Sequence, residues 1–108
     1  MDTIPVTPRG NPFDPYRIVA TLLNEVEAQV NGNVLDVSKM RLQSVAVTGT
    51  FVGTVQLEGT ADDVTFFQIG SNITSASLIT SIPYVKGIRA KVSAYTSGKI
   101  TVKYMGRA

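Results

Sequence analysis

Residues 85–108 alternate apolar and polar side chains with period two on both sides of Thr96-Ser97-Gly98. This is the pattern of strands with one buried and one solvated face. Read as a hairpin closed by a three-residue turn with Gly98 left-handed, it sets Ala90 opposite Tyr104, Val92 opposite Val102 and Ala94 opposite Ile100. The same register places Lys91 opposite Lys103 on the outer face, with Arg89 and Lys99 nearby. Like charges so arranged weaken a free sheet and fit an anionic partner. Strand patterns also run over 22–30, 34–37, 41–48, 52–58, 64–70 and 76–80, ahead of 85–95 and 99–105, and Gly, Asn, Asp, Ser or Pro separates them. Seven or eight short strands at near-regular spacing predict an all-β antiparallel sandwich or barrel.

Three segments fit the pattern less simply. From Asp14-Pro15 a helix is conceivable, with Asp14 as N-cap, Pro15 at the first helical position and Ile18, Leu22 and Val26 at four-residue spacing. Alternation of Val26, Ala28 and Val30 with Glu25, Glu27 and Gln29 favours a strand over about 22–30 instead, after a short turn or helix-like link. In 41–48, Leu42 falls on the face opposite Val45 and Val47, so either a bulge near Gln43-Ser44 or a strand covered on both faces is expected. Phe66 and Phe67 are adjacent and must point to opposite faces, one into the core and the other toward a loop or a neighbouring subunit.

Composition agrees with strands, because 34 of the 108 residues are Val, Ile or Thr. The length fits one domain with a core that needs no staple. Residues 1–16 carry Pro5, Pro8, Pro12 and Pro15 and cannot form a central strand or a helix interior. The expected organisation is therefore an extended N-terminal arm over 1–16 and a β-sandwich over 17–108. Net charge is +2 but uneven: residues 1–63 hold four basic and all eight acidic side chains, and 64–108 hold six basic and none. That asymmetry gives either internal pairing or a basic docking face. The start shows neither a basic leader nor an apolar signal segment, and no apolar run nears the roughly 18 residues of a spanning helix. A soluble protein made in the cytosol, without membrane contact, is expected.

Absence of both cysteine and histidine removes disulfides, thiol chemistry, thiolate or imidazole metal sites and histidine relays. The acidic cluster Asp62-Asp63, with Glu58 upstream, sits in Glu-Gly-Thr-Ala-Asp-Asp, where turn chemistry outweighs a cation site or acid–base pair. Asn72-Ile73-Thr74 fits a glycosylation sequon but reads as turn chemistry. Gly49, Gly53 and Gly59 lack phosphate-loop spacing and read as strand-end and bulge glycines. The basic face beside Tyr95 has too little charge density and no motif for a nucleic-acid surface. No catalytic centre, cofactor or direct nucleic-acid contact is expected.

Phe51-Val52-Gly53-Thr54-Val55-Gln56-Leu57-Glu58-Gly59, the Asp turn, Phe66-Phe67 and Ile88 to Val102 together resemble small β-sandwich structural proteins of tailed bacteriophages. The resemblance covers about residues 34–105. It implies a jelly-roll-like or carbohydrate-binding-like sandwich and a place in the virion as capsid cement or decoration, as a tail, neck or fibre-base attachment, or as a carbohydrate-binding module. Where the family often has Trp, this chain has Phe66, which weakens a sugar-stacking role. Taken with the arm, the implied function is a noncatalytic cement protein that bridges capsid subunits, with the major capsid protein or another virion protein as partner. A homo-oligomer is expected, a trimer being one form. Residues expected to bind protein are Pro5, Pro8, Arg9, Pro12, Phe13 and Tyr16 of the arm and Arg89, Lys91, Lys99 and Lys103 of the last two strands.

Overall fold

The computed structural model describes residues 17–108. The N-terminal arm, with Pro5, Pro8, Arg9, Pro12, Phe13 and Tyr16, lies outside the described residues. Regular structure among the described residues is strand alone: β1 (Arg17–Val26), β2 (Val30–Asn31), β3 (Leu35–Asp36), β4 (Leu42–Thr48), β5 (Phe51–Thr60), β6 (Phe66–Ile73), β7 (Ser77–Ile79), β8 (Gly87–Gly98) and β9 (Ile100–Arg107). A four-stranded sheet runs β1-β9-β4-β7 and a five-stranded sheet runs β2-β8-β5-β6, with β3 also on β8. Every pairing is antiparallel. Because β2 and β3 both lie on β8, they act as one interrupted strand. The pairs are then first with last, second with second-last and so inward, which is the order of a rolled-up hairpin, the jelly roll.

The chain does not turn back on itself at Gly98. β8 pairs with β5 and β2, and β9 pairs with β1 and β4, so the two strands belong to opposite sheets. The expected pairs Ala90–Tyr104, Val92–Val102, Ala94–Ile100 and Lys91–Lys103 are therefore not formed. Alternation could not distinguish the cases for Ala90, Val92, Ile100, Val102 and Tyr104, which are buried in either. Ala94, expected inward, is exposed: a bulge at Ser93 shifts the parity and turns Tyr95, expected on the outer basic face, toward the core. Gly98 does take the left-handed conformation, with φ +93, but as the corner of an arch.

A second arch lies against the first. The link from β4 to β5 passes through Gly49, with φ +108. A Cβ there would stand 2.2 Å from the Lys99 carbonyl oxygen, and one on Gly98 would stand 2.2 Å from the Thr50 oxygen. The Lys99 amide donates to that Thr50 oxygen at 3.4 Å. Each glycine thus supplies both a backbone conformation and the room its neighbouring arch needs.

Between the sheets lie Val45, Val47, Ile100, Val102 and Tyr104 from one layer and Val55, Leu57, Ile88, Ala90 and Val92 from the other, all buried. β1 begins at Arg17, so the expected link before residue 22 is strand. Four-residue spacing of Ile18 and Leu22 satisfies period two as well as a helical turn, and pairing with β9 selects the strand. Bulges between Thr21 and Val26 include Glu25 at φ 49 and return Val26 to the inner side. β4 has no bulge: its register with β9 is regular from Leu42 to Thr48. Leu42 therefore stays outside, and Gln43 takes the inward position. Of the two phenylalanines, neither belongs to the buried core; Phe66 is half-buried on the outer face and Phe67 is exposed at the edge of β6.

Inward Gln43 is satisfied by the Tyr104 hydroxyl, which donates to Gln43 Oε1 at 2.7 Å, while Gln43 Nε2 donates to the Pro83 carbonyl at 3.3 Å. Tyr104 is 1% exposed, and burial pushes its phenol up to about 12.

Two predictions concern these features. Gly70, at φ +74 with open space beside it, is the control for conformation alone. Gly70→Ala should cost about 1–2 kcal/mol in urea unfolding, and Gly49→Ala or Gly98→Ala about 1–3 kcal/mol more through overpacking. Tyr104→Phe should cost about 1–3 kcal/mol by leaving Gln43 Oε1 without its donor. Because the neutral phenol is favoured in the fold, its stabilisation is complete below the unfolded value near pH 10 and declines as pH rises toward 12. Subtracting the Tyr104→Phe stability–pH curve from that of the wild type should isolate this decline.

Candidate functional site

The two outer faces differ in how far their side chains satisfy one another. On the five-stranded sheet, Glu58 of β5 lies between Arg89 of β8 and Gln68 of β6 in register. Arg89 Nε donates to Glu58 Oε1 at 2.8 Å, and its guanidinium lies 3.7 Å from the centre of the Phe66 ring. Both charged side chains are largely covered, 21% and 12% exposed, so the pair is a charge-assisted bond in a partly desolvated setting. Alongside it, Asn72 Oδ1 accepts from Gln56 Nε2 at 3.0 Å and from Gln68 Nε2 at 2.9 Å. The sequon Asn72 is thus one centre of a polar network.

The four expected basic residues do not form one patch. Arg89 and Lys91 lie on the outer face of the five-stranded sheet, where Lys91 pairs in register with Gln56 and Asn31. Lys99 sits in the arch with its ammonium 3.8 Å from Glu25. Lys103 lies on the outer face of the four-stranded sheet, between Thr21 and Ala46. The assumed hairpin had combined positions that the arch sends to opposite sides, so the like-charge repulsion expected between Lys91 and Lys103 does not arise. Glu58 and Phe66 as partners of Arg89 were not read from sequence, because their alignment depends on the registers of β6 and β8 against β5.

Rows across the four-stranded sheet run Arg17–Arg107–Leu42, Val19–Met105–Ser44 and Thr21–Lys103–Ala46–Leu78. Four large aliphatic side chains are open there: Val19 at 73%, Leu78 at 67%, Leu42 at 58% and Met105 at 53%. A shallow depression of about 250 Å3 lies among Arg17, Leu42, Ser44, Met105 and Arg107. The one signal for this face in the sequence was the misfit parity of Leu42. A second concavity, about 540 Å3, opens between β6 and the β7 side of the sandwich and is lined by Phe67, Ile69, Ile79, Pro83 and Val85.

Asp62 is committed to its turn. Its Oδ1 accepts from the Val64 and Thr65 amides at 2.9 and 2.8 Å and from the Thr60 hydroxyl at 3.1 Å. The Thr65 and Val64 amides hold its carboxyl below the usual range. Asp63 forms an ion pair with Lys86. The acidic cluster thus shapes the link from β5 to β6.

Fold and surface define a jelly-roll sandwich whose outer sheets carry contrasting faces. The chain is similar in structure to the SPBc2 prophage-derived protein YomS, with a TM-score of 0.71 and 17% identity over 87% of this chain and 95% of that one. At that identity the likeness is one of fold. No family model matches the sequence, and no curated protein matches it.

Arg89→Ala should lower stability by about 2–3 kcal/mol, through the lost charge-assisted bond and the lost contact with Phe66. Lys91→Ala, beside it on the same face, should stay within about 0.5 kcal/mol. Chemical denaturation of the two variants in parallel checks the difference.

Proposed function

We propose that this chain is a noncatalytic bacteriophage virion structural protein, specifically a cement or decoration protein that bridges and stabilises capsid subunits. The observation that carries the reading is the fold shared with a prophage-derived protein over nearly the full length of that protein. A jelly-roll sandwich with crossings of one or two residues at β4–β5 and β8–β9 is a unit suited to being laid on a lattice. An open aliphatic face gives such a unit a surface to bury against neighbours, and many weak repeated contacts sum to a strong attachment. In this reading residues 1–16 clip onto an adjacent subunit, the major capsid protein is the partner, and homo-oligomers form at local symmetry axes. The protein is made in the host cytoplasm and ends in the virion.

Protein composition of purified particles tests this. Near-capsid copy number is the expected result, a few copies per particle would assign the chain to tail, neck or fibre base, and absence would overturn a virion role. Removing residues 1–16 should leave a folded sandwich, since the described core lies within 22–104, yet one that no longer attaches to particles lacking the native protein. Attachment at wild-type level would remove the arm from the mechanism.

A further inference from the structure

Outward positions of the four-stranded sheet are Arg17, Val19 and Thr21 on β1, Thr101, Lys103, Met105 and Arg107 on β9, Leu42, Ser44, Ala46 and Thr48 on β4, and Leu78 on β7. Not one is acidic. Elsewhere among the described residues Arg89 has Glu58, Lys86 has Asp63 and Lys99 has Glu25, whereas Lys39, Arg41 and Lys91 form no salt bridge. The face therefore joins four open aliphatic side chains to Arg17, Lys103 and Arg107, of which Lys103 and Arg107 form no salt bridge among the described residues. Val19, Met105 and Leu42 lie on adjacent strands, with Arg17 and Arg107 toward one end of the group and Lys103 toward the other, and Leu78 stands beyond Ala46 at the sheet edge. Apolar side chains bordered by polar and charged ones are the anatomy of a protein interface, and open aliphatics grouped on a sheet mark an interaction site more often than scattered ones do.

We propose that the outer face of the four-stranded sheet docks onto a protein surface that combines apolar side chains with Asp and Glu. Complementarity of charge identifies the partner's chemistry. A second copy placed face to face would oppose Lys103 and Arg107 to the same two cations, with no carboxylate among the outward positions of the sheet to relieve them. Nucleic acid would meet cations interspersed with open aliphatic side chains and, among the described residues of the face, no aromatic ring for a base to stack upon. The five-stranded sheet is the internal contrast, because its outer Arg89, Glu58, Gln56, Gln68 and Asn72 already serve one another. The proposal deepens the virion reading, and rests on it only for where the partner is found.

A photo-crosslinking amino acid placed at Met105 of the full chain, and separately at Gln68 on the opposite sheet, tests this in phage-producing cells. Mass spectrometry of the crosslinked peptides identifies what is captured and through which segment. The expected result is one protein captured from Met105 through an acidic and apolar segment, and not from Gln68. That protein, once purified, should bind the variant carrying Lys103→Glu and Arg107→Glu about tenfold or more weakly than wild type, and wild-type binding should fall as salt is raised. Melting temperature of the variant should be unchanged, since both side chains point outward. Crosslinks to a second copy or to nucleic acid, no crosslink from Met105, or wild-type binding by the variant would overturn the proposal. A partner that is absent from purified particles would keep the docking face and remove the virion reading. The chain present in particles while Met105 captures nothing would do the reverse.

Discussion

Two arches packed against each other, Gly49-Thr50 and Gly98-Lys99, set the rest of the structure. Each carries the chain from one sheet to the other within one or two residues, and the backbone oxygen of each occupies the space where the other's glycine would hold a Cβ. Because β4 and β5 are forced into different sheets, as are β8 and β9, neither pair can close as a hairpin. β9 then lies between β1 and β4, and β8 lies beside β5, with β2 and β3 on its far side. From that order follow the jelly-roll topology and the assignment of every outward side chain to one surface or the other.

The consequence for the surface is a division of labour between sheets. On the five-stranded side, charge, amide and ring groups are matched across three strands, and the Arg89 guanidinium is held by both a carboxylate and an aromatic face. Such a face gains little from a partner, since its polar groups would exchange one set of bonds for another. On the four-stranded side, four large aliphatic side chains are exposed among cations and small polar groups, and burying them releases free energy in proportion to the area covered. The proposed docking face therefore lies on the four-stranded side.

The core shows how a polar residue is accommodated at the cost of uniform packing. Regular register along β4 puts Gln43 inside and Leu42 outside, the reverse of what hydrophobicity alone would select. Inside, Gln43 is paired with the Tyr104 hydroxyl and the Pro83 carbonyl, so the buried amide ties β4 to β9 and to the segment before β8. Outside, Leu42 joins Val19 and Met105. One local departure from the buried-apolar rule thus fixes both an internal tie and part of the open face.

By itself the sequence determined the all-β content, the inward places of Ala90, Val92, Ile100, Val102 and Tyr104, the left-handed Gly98 and the turn role of Asp62. Each is local: alternation states which side chains share a face, and glycine or aspartate states where the backbone bends. Tertiary structure alone decided which strands are neighbours. Ala90, Val92, Val102 and Tyr104 are buried whether the chain forms a hairpin or an arch, so period two carries no information about the partner strand. Outer-face chemistry depends on those partners. Lys91 and Lys103 parted to opposite surfaces, Arg89 met Glu58 and Phe66, and Val19, Leu42, Leu78 and Met105, distant in sequence, came to share one face because β1, β9, β4 and β7 lie side by side.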